Sequence, residues 1–350
     1  MQLQNLLSKI QPLDEAAIAA ARIRQDDLTK PRGSLGQLEA LSIQMAGIFG
    51  TDRPVIEHKV VTVMAGDHGV TAEGVSAYPA EVTPQMVFNF LMGGAAINVL
   101  AQHVDARVVT VDMGVAVEME AHPNLVNKKV ALGTQNIAAG PAMTTEQAIQ
   151  AIEAGASVVL GELEDGLDIL ATGDMGIGNT TPSAAIAVAL TGHLPEEIVG
   201  RGTGVDDEGL QRKISVVHRA MEINNPDPTD GLDILTKVGG FEIAGLVGAV
   251  LAAVANRKPV VIDGFISTAA AMIAVSLAPQ VKDYLISAHR SQELGHQHML
   301  AWLELEPLLD LQLRLGEGTG AVLAISLVEA ACKILTEMAT FSEAGVTDKD

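Results

Sequence analysis

Six short apolar runs, each followed at once by polar residues and by glycine or serine, recur along this chain of 350 residues. Their apolar residues are continuous rather than alternating, which is typical of strands covered on both faces in a parallel sheet. The runs span 60–65, 107–111, 167–172, 259–262, 284–288 and 311–315. The segments between them have helical patterns, so the sequence predicts an α/β fold with a mostly parallel, Rossmann-like sheet flanked by helices.

Helix signals support this alternation of strands and helices. Thr144 and Gln147 match a capping box ahead of the apolar-periodic stretch 148–158. Thr181 and Pro182 have the residue types of an N-cap and a first helical position. Two longer apolar stretches follow, 243–255 and 268–278. Because both are shorter than a membrane span, they are interpreted as buried helices and no membrane span is expected.

The two chain ends differ from the middle because they lack strand patterns. We expect a helical N-terminal part over residues 1–28, a large α/β domain over 29–320 and a helical C-terminal part over 321–350. Two interpretations stay open for the terminal helices, which could form one small subdomain or contribute dimer contacts.

Charge and cysteine content exclude several classes of function. The chain carries 22 Lys and Arg against 43 Asp and Glu, a formal charge of −21. This excess opposes binding to nucleic acid or to an anionic membrane. The single cysteine, Cys332, cannot form an internal disulfide and is interpreted as a core thiol in an Ala-rich helix. With no signal-peptide pattern at the start of the sequence, the expected location is the cytoplasm.

In α/β sheets ligands bind at the carboxyl ends of the strands, where this sequence gathers polar and glycine residues. The stretch 173–182 follows one predicted strand and precedes a predicted helix, a setting that favours phosphate or ribose. An ordinary turn between a strand and a helix uses the same residue types. The stretch lacks both the Lys of a Walker loop and the Gly spacing of a dinucleotide fold.

A second glycine cluster, Gly202, Thr203 and Gly204, could cradle an anion beside basic side chains. Lys213, Arg290 and Arg314 are the cations that such a ligand would need in a strongly acidic chain. The alternative is a flexible surface turn with solvated charges.

Glu317 lies between Gly316 and Gly318 directly after the last predicted strand. Partial burial there would raise the pKa of the carboxyl and make it a better proton acceptor near neutrality. The alternative is a loop glutamate in water.

Histidines and one tyrosine allow further interpretations. His68 and His289 end predicted strands and are interpreted as pocket walls. The His296–Gln297–His298 sequence invites a metal site, but alternating histidines usually face different directions on a helix, so no metal is expected. Tyr78 with the proline after it could form a flat wall for a ring, or a plain turn.

These segments together resemble the nicotinate-nucleotide–dimethylbenzimidazole phosphoribosyltransferase family. The resemblance rests on ordered motifs: Lys-Pro-Arg-Gly-Ser-Leu-Gly at 30–36, Ala-Gly-Asp-His-Gly-Val at 65–70, Gly-Ile-Gly-Asn-Thr-Thr at 176–181, Gly-Thr-Gly at 202–204, Ser-Ala-His-Arg-Ser at 287–291 and Leu-Gly-Glu-Gly-Thr-Gly at 315–320. It implies transfer of 5-phosphoribose from nicotinate mononucleotide to 5,6-dimethylbenzimidazole, with inversion at the anomeric carbon, in cobalamin lower-ligand assembly. It also implies a homodimer with a large α/β domain and a small helical domain.

By the same resemblance, Glu317 matches the catalytic glutamate, and Gly176, Lys213 and Ser291 fall in the phosphoribosyl-binding segments. Ala80 and Gln85 match the loop that lines the base pocket. Asp174 is a departure, since the family often has Glu there, and its shorter side chain argues against direct proton transfer by this residue. The candidate substrate-binding set is Tyr78, Ala80, Gln85, Asp174, Met175, Gly176, Ile177, Gly178, Asn179, Thr180, Gly202, Thr203, Gly204, Lys213, Asp263, Gly264, His289, Arg290, Ser291, Arg314 and Leu315.

The implied chemistry needs no cofactor. The pyridinium nitrogen of the donor becomes neutral when its bond to the ribose breaks, so nicotinate leaves without further activation. One base would suffice to take the ring proton of the acceptor. Carboxylates such as Asp174 or Asp263 would favour a developing oxocarbenium charge. Two rival functions stay open: a metal-dependent hydrolase using Asp67, His68 and the later histidines, and a nucleotide-binding protein without turnover.

Overall fold

A six-stranded parallel sheet forms the centre of the computed structural model, which describes residues 2–202 and 204–347. The strands are β1 (Lys59–Gly66), β2 (Ala106–Gly114), β3 (Leu125–Asn127), β4 (Ile169–Met175), β5 (Val260–Ile262) and β6 (Leu285–Ser287). They are ordered β3-β2-β1-β4-β5-β6. Nearly every residue of β1 and β4 is buried, as continuous apolar runs predict. The predicted fold class is confirmed.

The strand order reverses at the middle of the sheet. β1 pairs with β2 on one side and with β4 on the other, and the chain fills one half of the sheet before it begins the second. In parallel α/β sheets this switch point leaves a crevice at the carboxyl ends of the central strands.

One predicted strand is wrong and one strand is missed. Residues 311–315 form no strand, because Leu311 and Leu315 are more than half exposed and Gln312 has a φ of 57°, which breaks an extended backbone. The leucines alternate there with Gln and Arg, so the run is not continuously apolar. The missed strand is β3, a three-residue edge strand that is incompletely buried.

Helices cover both faces of the sheet and extend beyond it. They are α1 (Leu3–Leu7), α2 (Glu15–Asp27), α3 (Gln37–Phe49), α4 (Val82–Leu91), α5 (Ala96–His103), α6 (Thr145–Glu164), α7 (Thr180–Thr191), α8 (Pro195–Ile198), α9 (Asp207–Asn224), α10 (Gly231–Val238), α11 (Phe241–Ala255), α12 (Phe265–Leu277), α13 (His296–Leu303), α14 (Thr319–Glu337) and α15 (Phe341–Ala344).

Two predicted helix starts have different outcomes. The capping box at Thr144 is confirmed, with Thr144 and Gln147 exchanging side chain to backbone hydrogen bonds at the start of α6. The predicted cap at Thr181 is wrong, since α7 begins at Thr180 and its N-cap residue is Asn179. The Asn179 side chain makes no cap bond because it donates to Asp174 instead.

The apolar stretches predicted as buried helices are α11 and α12, and both are almost fully buried. Helices α11 and α6 approach so closely that their backbones touch. A Cβ on Gly248 would lie 1.8 Å from the Ile152 carbonyl oxygen, and one on Gly155 would lie 1.9 Å from the Gly245 oxygen. Glycines at this crossing therefore allow α11 and α6 to pack with their backbones in contact.

Helices from both chain ends pack on one another. Ala21 of α2, Ala46 of α3 and Leu335 of α14 form a small apolar cluster. The Arg24 guanidinium donates from Nε to the Leu335 oxygen at 2.6 Å and from Nη2 to the Met338 oxygen at 3.0 Å. The domain limits at residues 28 and 321 stay a prediction.

Two stretches are long and apolar enough to cross a bilayer, 82–103 and Thr319–Glu337. A turn at 92–95 divides the first into α4 and α5. The second is α14, and just over half of its most apolar window is buried inside the protein, as in a core helix.

Candidate active site

A cavity of about 380 Å³ opens at the carboxyl ends of the central strands. Among the residues predicted from the sequence, its walls contain Tyr78, Asp174, Met175, Gly176, Ile177, Asn179, Thr180, Gly202, Gly264, His289, Ser291, Arg314, Leu315 and Glu317. The predicted strand-end location of the ligand site therefore coincides with this cavity.

Other predicted residues do not line the cavity: Ala80, Gln85, Gly178, Gly204, Lys213, Asp263 and Arg290. Asp263 and Lys213 lie directly behind its wall, where each contacts a lining residue. Gln85 is exposed on α4, and Arg290 lies near Asp310 at the surface. Thr203 lies outside the described residues.

Six lining residues were not predicted: Val82, Met86, Phe265, Ile266, Glu293 and Gly316. Val82 and Met86 are four residues apart on α4 and so share a face. Phe265 and Ile266 start α12 directly after Gly264, a position at a strand end that could have identified them. With Met175 and Ile177 these side chains form an apolar wall.

Glu317 is held by an unusual backbone. Gly316, Glu317 and Gly318 all have positive φ, at 87°, 64° and 91°. Glycine adopts this conformation freely, whereas a residue with a Cβ is strained in it. The Glu317 backbone N–H donates to the backbone carbonyl oxygen of Asp174 at 3.2 Å, which joins this turn to the end of β4. The strain at Glu317 is thus maintained by flanking glycines and by a bond to the sheet.

The carboxyl of Glu317 faces the cavity and is 5% exposed. Burial raises its pKa, a hydrogen bond from the Ile97 N–H opposes this shift, and the nearby Asp263 adds to it. A carboxyl with a raised pKa is a better proton acceptor near neutral pH than an exposed glutamate.

Asp263 serves the start of α14. Its two carboxylate oxygens accept from the N–H groups of Gly318 at 3.2 Å and Ala321 at 2.9 Å. These are unpaired donors of the first helical turn, and the helix dipole favours a negative charge there. Burial raises the pKa of Asp263, and His289, whose Nε2 lies 3.6 Å from Asp263 Oδ1, opposes this shift. Asp263 therefore fixes the helix that follows Glu317.

Asp174, at the end of β4, is buried in the cavity wall. Burial first, and then the Asp263 carboxylate, raise its pKa to about 8. The Asn179 Nδ2 donates to its Oδ2 at 3.0 Å. The surroundings of Asp174 therefore favour its protonated form near neutral pH.

His296 links two parts of the cavity wall. Its Nδ1 accepts from the Ser291 N–H at 2.9 Å, so the ring hydrogen is on Nε2 and donates to Thr268 Oγ1, also at 2.9 Å. Thr268 in turn donates to the Gly264 oxygen at 2.7 Å. Burial lowers the pKa of His296 to about 3, so the ring stays neutral. It fixes Ser291 relative to Gly264.

His68 lies behind the cavity wall rather than in it. Its Nε2 is 2.7 Å from Glu242 Oε1, and both side chains are fully buried. The Glu242 charge raises the pKa of His68 against the opposing effect of burial. A Cβ on Gly176 would lie 3.3 Å from His68 Nε2 and 3.4 Å from Glu242 Oε1. The pair therefore supports the Gly176 turn from beneath.

The histidines and acids do not converge on a metal. Within residues 2–202 and 204–347, no three His, Cys, Asp or Glu side chains are grouped to hold one. His296 contacts Ser291 and Thr268, whereas the His298 ring lies 4.2 Å from that of His193. His296 and His298, which the hydrolase hypothesis needs on one metal, therefore face different neighbours.

A parallel sheet with a switch point, and a cavity there with glycine turns, a buried glutamate and an apolar wall, are typical of an α/β enzyme that acts on a small molecule. The chain belongs to the nicotinate-nucleotide–dimethylbenzimidazole phosphoribosyltransferase family. A family model described as phosphoribosyltransferase matches residues 10–346. The family resemblance predicted from the sequence is confirmed.

Relatives and solved structures agree with this assignment. The nicotinate-nucleotide–dimethylbenzimidazole phosphoribosyltransferase of Roseiflexus sp. strain RS-1 is 60% identical over 347 residues, covering 99% of this chain and 98% of that protein. That of Chloroflexus aurantiacus is 58% identical over 346 residues, 99% of both chains. The crystal structure of CobT from Thermus thermophilus has a TM-score of 0.93 at 49% identity and covers 95% of this chain and 100% of that one.

Proposed function

We propose that this chain transfers the 5-phosphoribosyl group of nicotinate mononucleotide to 5,6-dimethylbenzimidazole, giving α-ribazole 5′-phosphate and nicotinate. The observation that carries the proposal is the buried carboxyl of Glu317, which lies in one cavity with a basic, glycine-lined end and an apolar wall. The names of the family members describe this donor and acceptor.

The donor phosphate is assigned to the end of the cavity near Lys213. There Thr180, Gly202 and Ser291 line the wall, and Lys213 Nζ donates to Thr180 Oγ1 from behind it. Backbone N–H groups in glycine turns and a lysine ammonium suit a phosphate monoester.

The acceptor ring is assigned to the apolar wall. Val82 and Met86 of α4 line the cavity together with Met175 and Ile177, and Tyr78 adds a half-exposed aromatic side chain. The Thr83 hydroxyl accepts from the Ile177 N–H at 3.1 Å, which holds α4 against the turn after β4. An apolar slot of this kind suits a flat benzimidazole.

The reaction breaks the bond from C1′ of the ribose to the nicotinate nitrogen and forms a bond from C1′ to a benzimidazole nitrogen. The electron pair of the broken bond neutralises the pyridinium, so the leaving group needs no acid. The other ring nitrogen of the acceptor loses its proton to Glu317. Attack from the face opposite the nicotinate inverts C1′ from β to α.

Asp174 is proposed to respond to the donor's charge. Burial and the nearby Asp263 raise the pKa of its carboxyl to about 8, whereas the cationic pyridinium or a developing oxocarbenium would favour its ionised form. Asp263 is proposed to act at a distance, since its oxygens are occupied by the start of α14.

We also propose a homodimer that covers an apolar face on α4 and α5. Phe88, Met92 and Val99 are 58%, 64% and 62% exposed there, although each is large and apolar. Light scattering should give the mass of a dimer for the native chain and of a monomer for Phe88→Lys.

The helical termini are proposed to form the small domain through the contacts of Arg24 and Ala21. We propose a cytoplasmic location, because the single free cysteine suits a reducing compartment. We also propose that the reaction uses no cofactor.

The test is a release assay with chelator-treated protein, nicotinate mononucleotide and dimethylbenzimidazole, in which free nicotinate is followed by chromatography. Release that requires dimethylbenzimidazole supports the transfer, and NMR of the product distinguishes the α from the β anomer. Release without the acceptor would indicate a hydrolase. Binding without any release would indicate a nucleotide-binding protein.

A further inference from the structure

Glu293 is a buried acid at the end of the cavity assigned to phosphate. It lines the cavity, lies between the end of β6 and the start of α13, and is 9% exposed. The nearby Gly202 N–H opposes the rise in the pKa of its carboxyl that burial causes, while Oε2 accepts no hydrogen bond from any described residue. A buried carboxylate oxygen without a donor is costly, so its presence calls for a reason.

Lys213 is the cation that faces this acid from α9. It is 1% exposed, and Nζ donates to Thr180 Oγ1 at 2.9 Å and to the Gly200 oxygen at 3.0 Å. Both acceptors are neutral, and the ammonium has no third hydrogen-bond acceptor among residues 2–202 and 204–347. The other charged group acting on Glu293 is Arg314, from the segment before α14, whose Nη1 donates to the Gly202 oxygen at 3.4 Å.

Glu293 thus interacts with the same groups that a phosphate would use. A phosphate dianion at this end would attract the Lys213 ammonium, the Arg314 guanidinium and the Gly202 N–H. An ionised Glu293 beside it would repel it strongly, because little water screens charges in a buried site. The two anions cannot share these partners while Glu293 remains ionised.

We propose that Glu293 is a counter-anion that occupies the phosphate end of the empty site and takes up a proton from solvent when the 5′-phosphate of the nucleotide binds. The inference rests on the proposed function and deepens it. Lys213 and Glu293 share one proton in the empty site and hold two in the complex, so their summed charge changes from zero to +1. Glu293 is thereby a specificity-determining residue that makes phosphate affinity depend on pH.

The electrostatics of the two side chains agree with this exchange. Burial raises the pKa of Glu293, and the opposing charges of Lys213 and Arg314 do not cancel that shift. Burial lowers the pKa of Lys213 to about 8, with Glu293 opposing the change. Both groups are therefore closer to neutrality than exposed side chains, and a second anion favours the proton on each.

The experiment is calorimetry of nicotinate mononucleotide and of nicotinate riboside, which lacks the phosphate, at pH 7.0 and pH 8.5. The phosphate is a dianion over this range because its second pKa is about 6. Glu293→Gln should bind the mononucleotide about tenfold more tightly than wild type at pH 8.5, and the gain should shrink at pH 7.0. The riboside should bind both proteins equally. The control Glu306→Gln removes an exposed acid and should change nothing.

Equal or weaker binding of the mononucleotide by Glu293→Gln at pH 8.5 would overturn the proposal, since Glu293 would then only support Lys213. If this variant does not fold, the wild-type protein still decides. Titrations in buffers of different ionisation enthalpy should show net proton uptake at pH 8.5, which Lys213→Arg should retain, because arginine does not titrate there. Binding by Lys213→Arg without uptake would contradict the proposal. The wild-type protein is also assayed for turnover with dimethylbenzimidazole. If it turns over but shows no proton uptake, only the role of Glu293 is overturned. If it does not turn over, the proposed function and the role of Glu293 are both overturned.

Discussion

The carboxylate of Glu317 accepts a hydrogen bond from the backbone N–H of Ile97, at 3.3 Å, across 220 residues of sequence. Ile97 lies in the first turn of α5, where N–H groups are unpaired and the helix dipole favours a negative charge. This contact lowers the pKa of Glu317, whereas burial raises it. The basicity of the proposed catalytic group is therefore set by a balance between its burial and a distant helix.

Replacing the proposed base should remove turnover with little effect on donor binding. Glu317→Gln keeps the shape of the side chain but cannot accept the acceptor's proton, so kcat should fall about 10²–10⁴-fold. The KM for nicotinate mononucleotide should stay within a few-fold, as measured by nicotinate release. Glu337→Gln, an exposed acid on α14, is the control. An unchanged kcat in Glu317→Gln would assign the proton transfer elsewhere.

Gly173 should be required for the position of the Glu317 turn. A Cβ there would lie 2.4 Å from the Glu317 oxygen and 2.9 Å from the Gly318 nitrogen, so Gly173→Ala must displace the turn. A displacement of about 1 Å can cost about 100-fold in rate. We expect a comparable loss of kcat together with a lower Tm.

Gly161 provides the matched control for that substitution. It lies inside α6, and a Cβ there would meet nothing within 4 Å. Gly161→Ala should leave kcat unchanged and stabilise the protein by about 0.5–1 kcal/mol, since alanine favours a helix. Equal activity of the two alanine variants would show that the turn tolerates displacement.

Asp174 should make the folded protein less stable as pH rises. Its pKa is 3.8 in an unperturbed state and about 8 when folded, so the folded protein holds the extra proton between these values. The contribution of this group to the free energy of unfolding therefore decreases as pH rises through that window. Asp174→Asn has no such titration, and its Tm relative to wild type should increase by several degrees from pH 5 to pH 8. Asp26→Asn, at an exposed position on α2, should show no such trend.

Cys332 should be inert in the native protein. It is buried within α14, and burial, with a smaller effect of Glu329, raises its pKa to about 12. Because the thiolate is the reactive form, a disulfide reagent at pH 8 should label the native chain very slowly. One thiol per chain should react rapidly in denaturant. Fast labelling without denaturant would indicate that α14 opens readily.

The sheet could be predicted from the sequence because burial on both faces leaves a continuous apolar run, as at 60–65 and 167–172. The run at 311–315 fails this test, since Leu311 and Leu315 alternate with polar residues on the surface. The edge strand β3 has no such run, because a three-residue strand at the edge is only half covered. Strand pairing is a tertiary property, and short edge strands carry little of it in their own sequence.

The cavity was predictable where function needs distinctive residue types. Glu317 between two glycines and the turn at 173–182 stand out locally. Glu293 does not stand out, because its significance depends on Lys213, far along the chain. His296 stands out only in a His-x-His pattern that suggests a metal, whereas its observed partner is Thr268. The part of the apolar wall on α4 was also missed, because Val82 and Met86 look like ordinary core positions of an amphipathic helix.

Helix α14 begins two residues after Glu317 and ends beside Arg24. It is about 28 Å long and connects the turn that holds the proposed catalytic residue to the helices of the chain termini. A tilt of only about 2° at the far end would move the near end by about 1 Å, which is the tolerance of a well-aligned reaction. We therefore expect that removing the hydrogen bonds from Arg24 to the Leu335 and Met338 oxygens, at the outer end of this helix, changes turnover as well as stability.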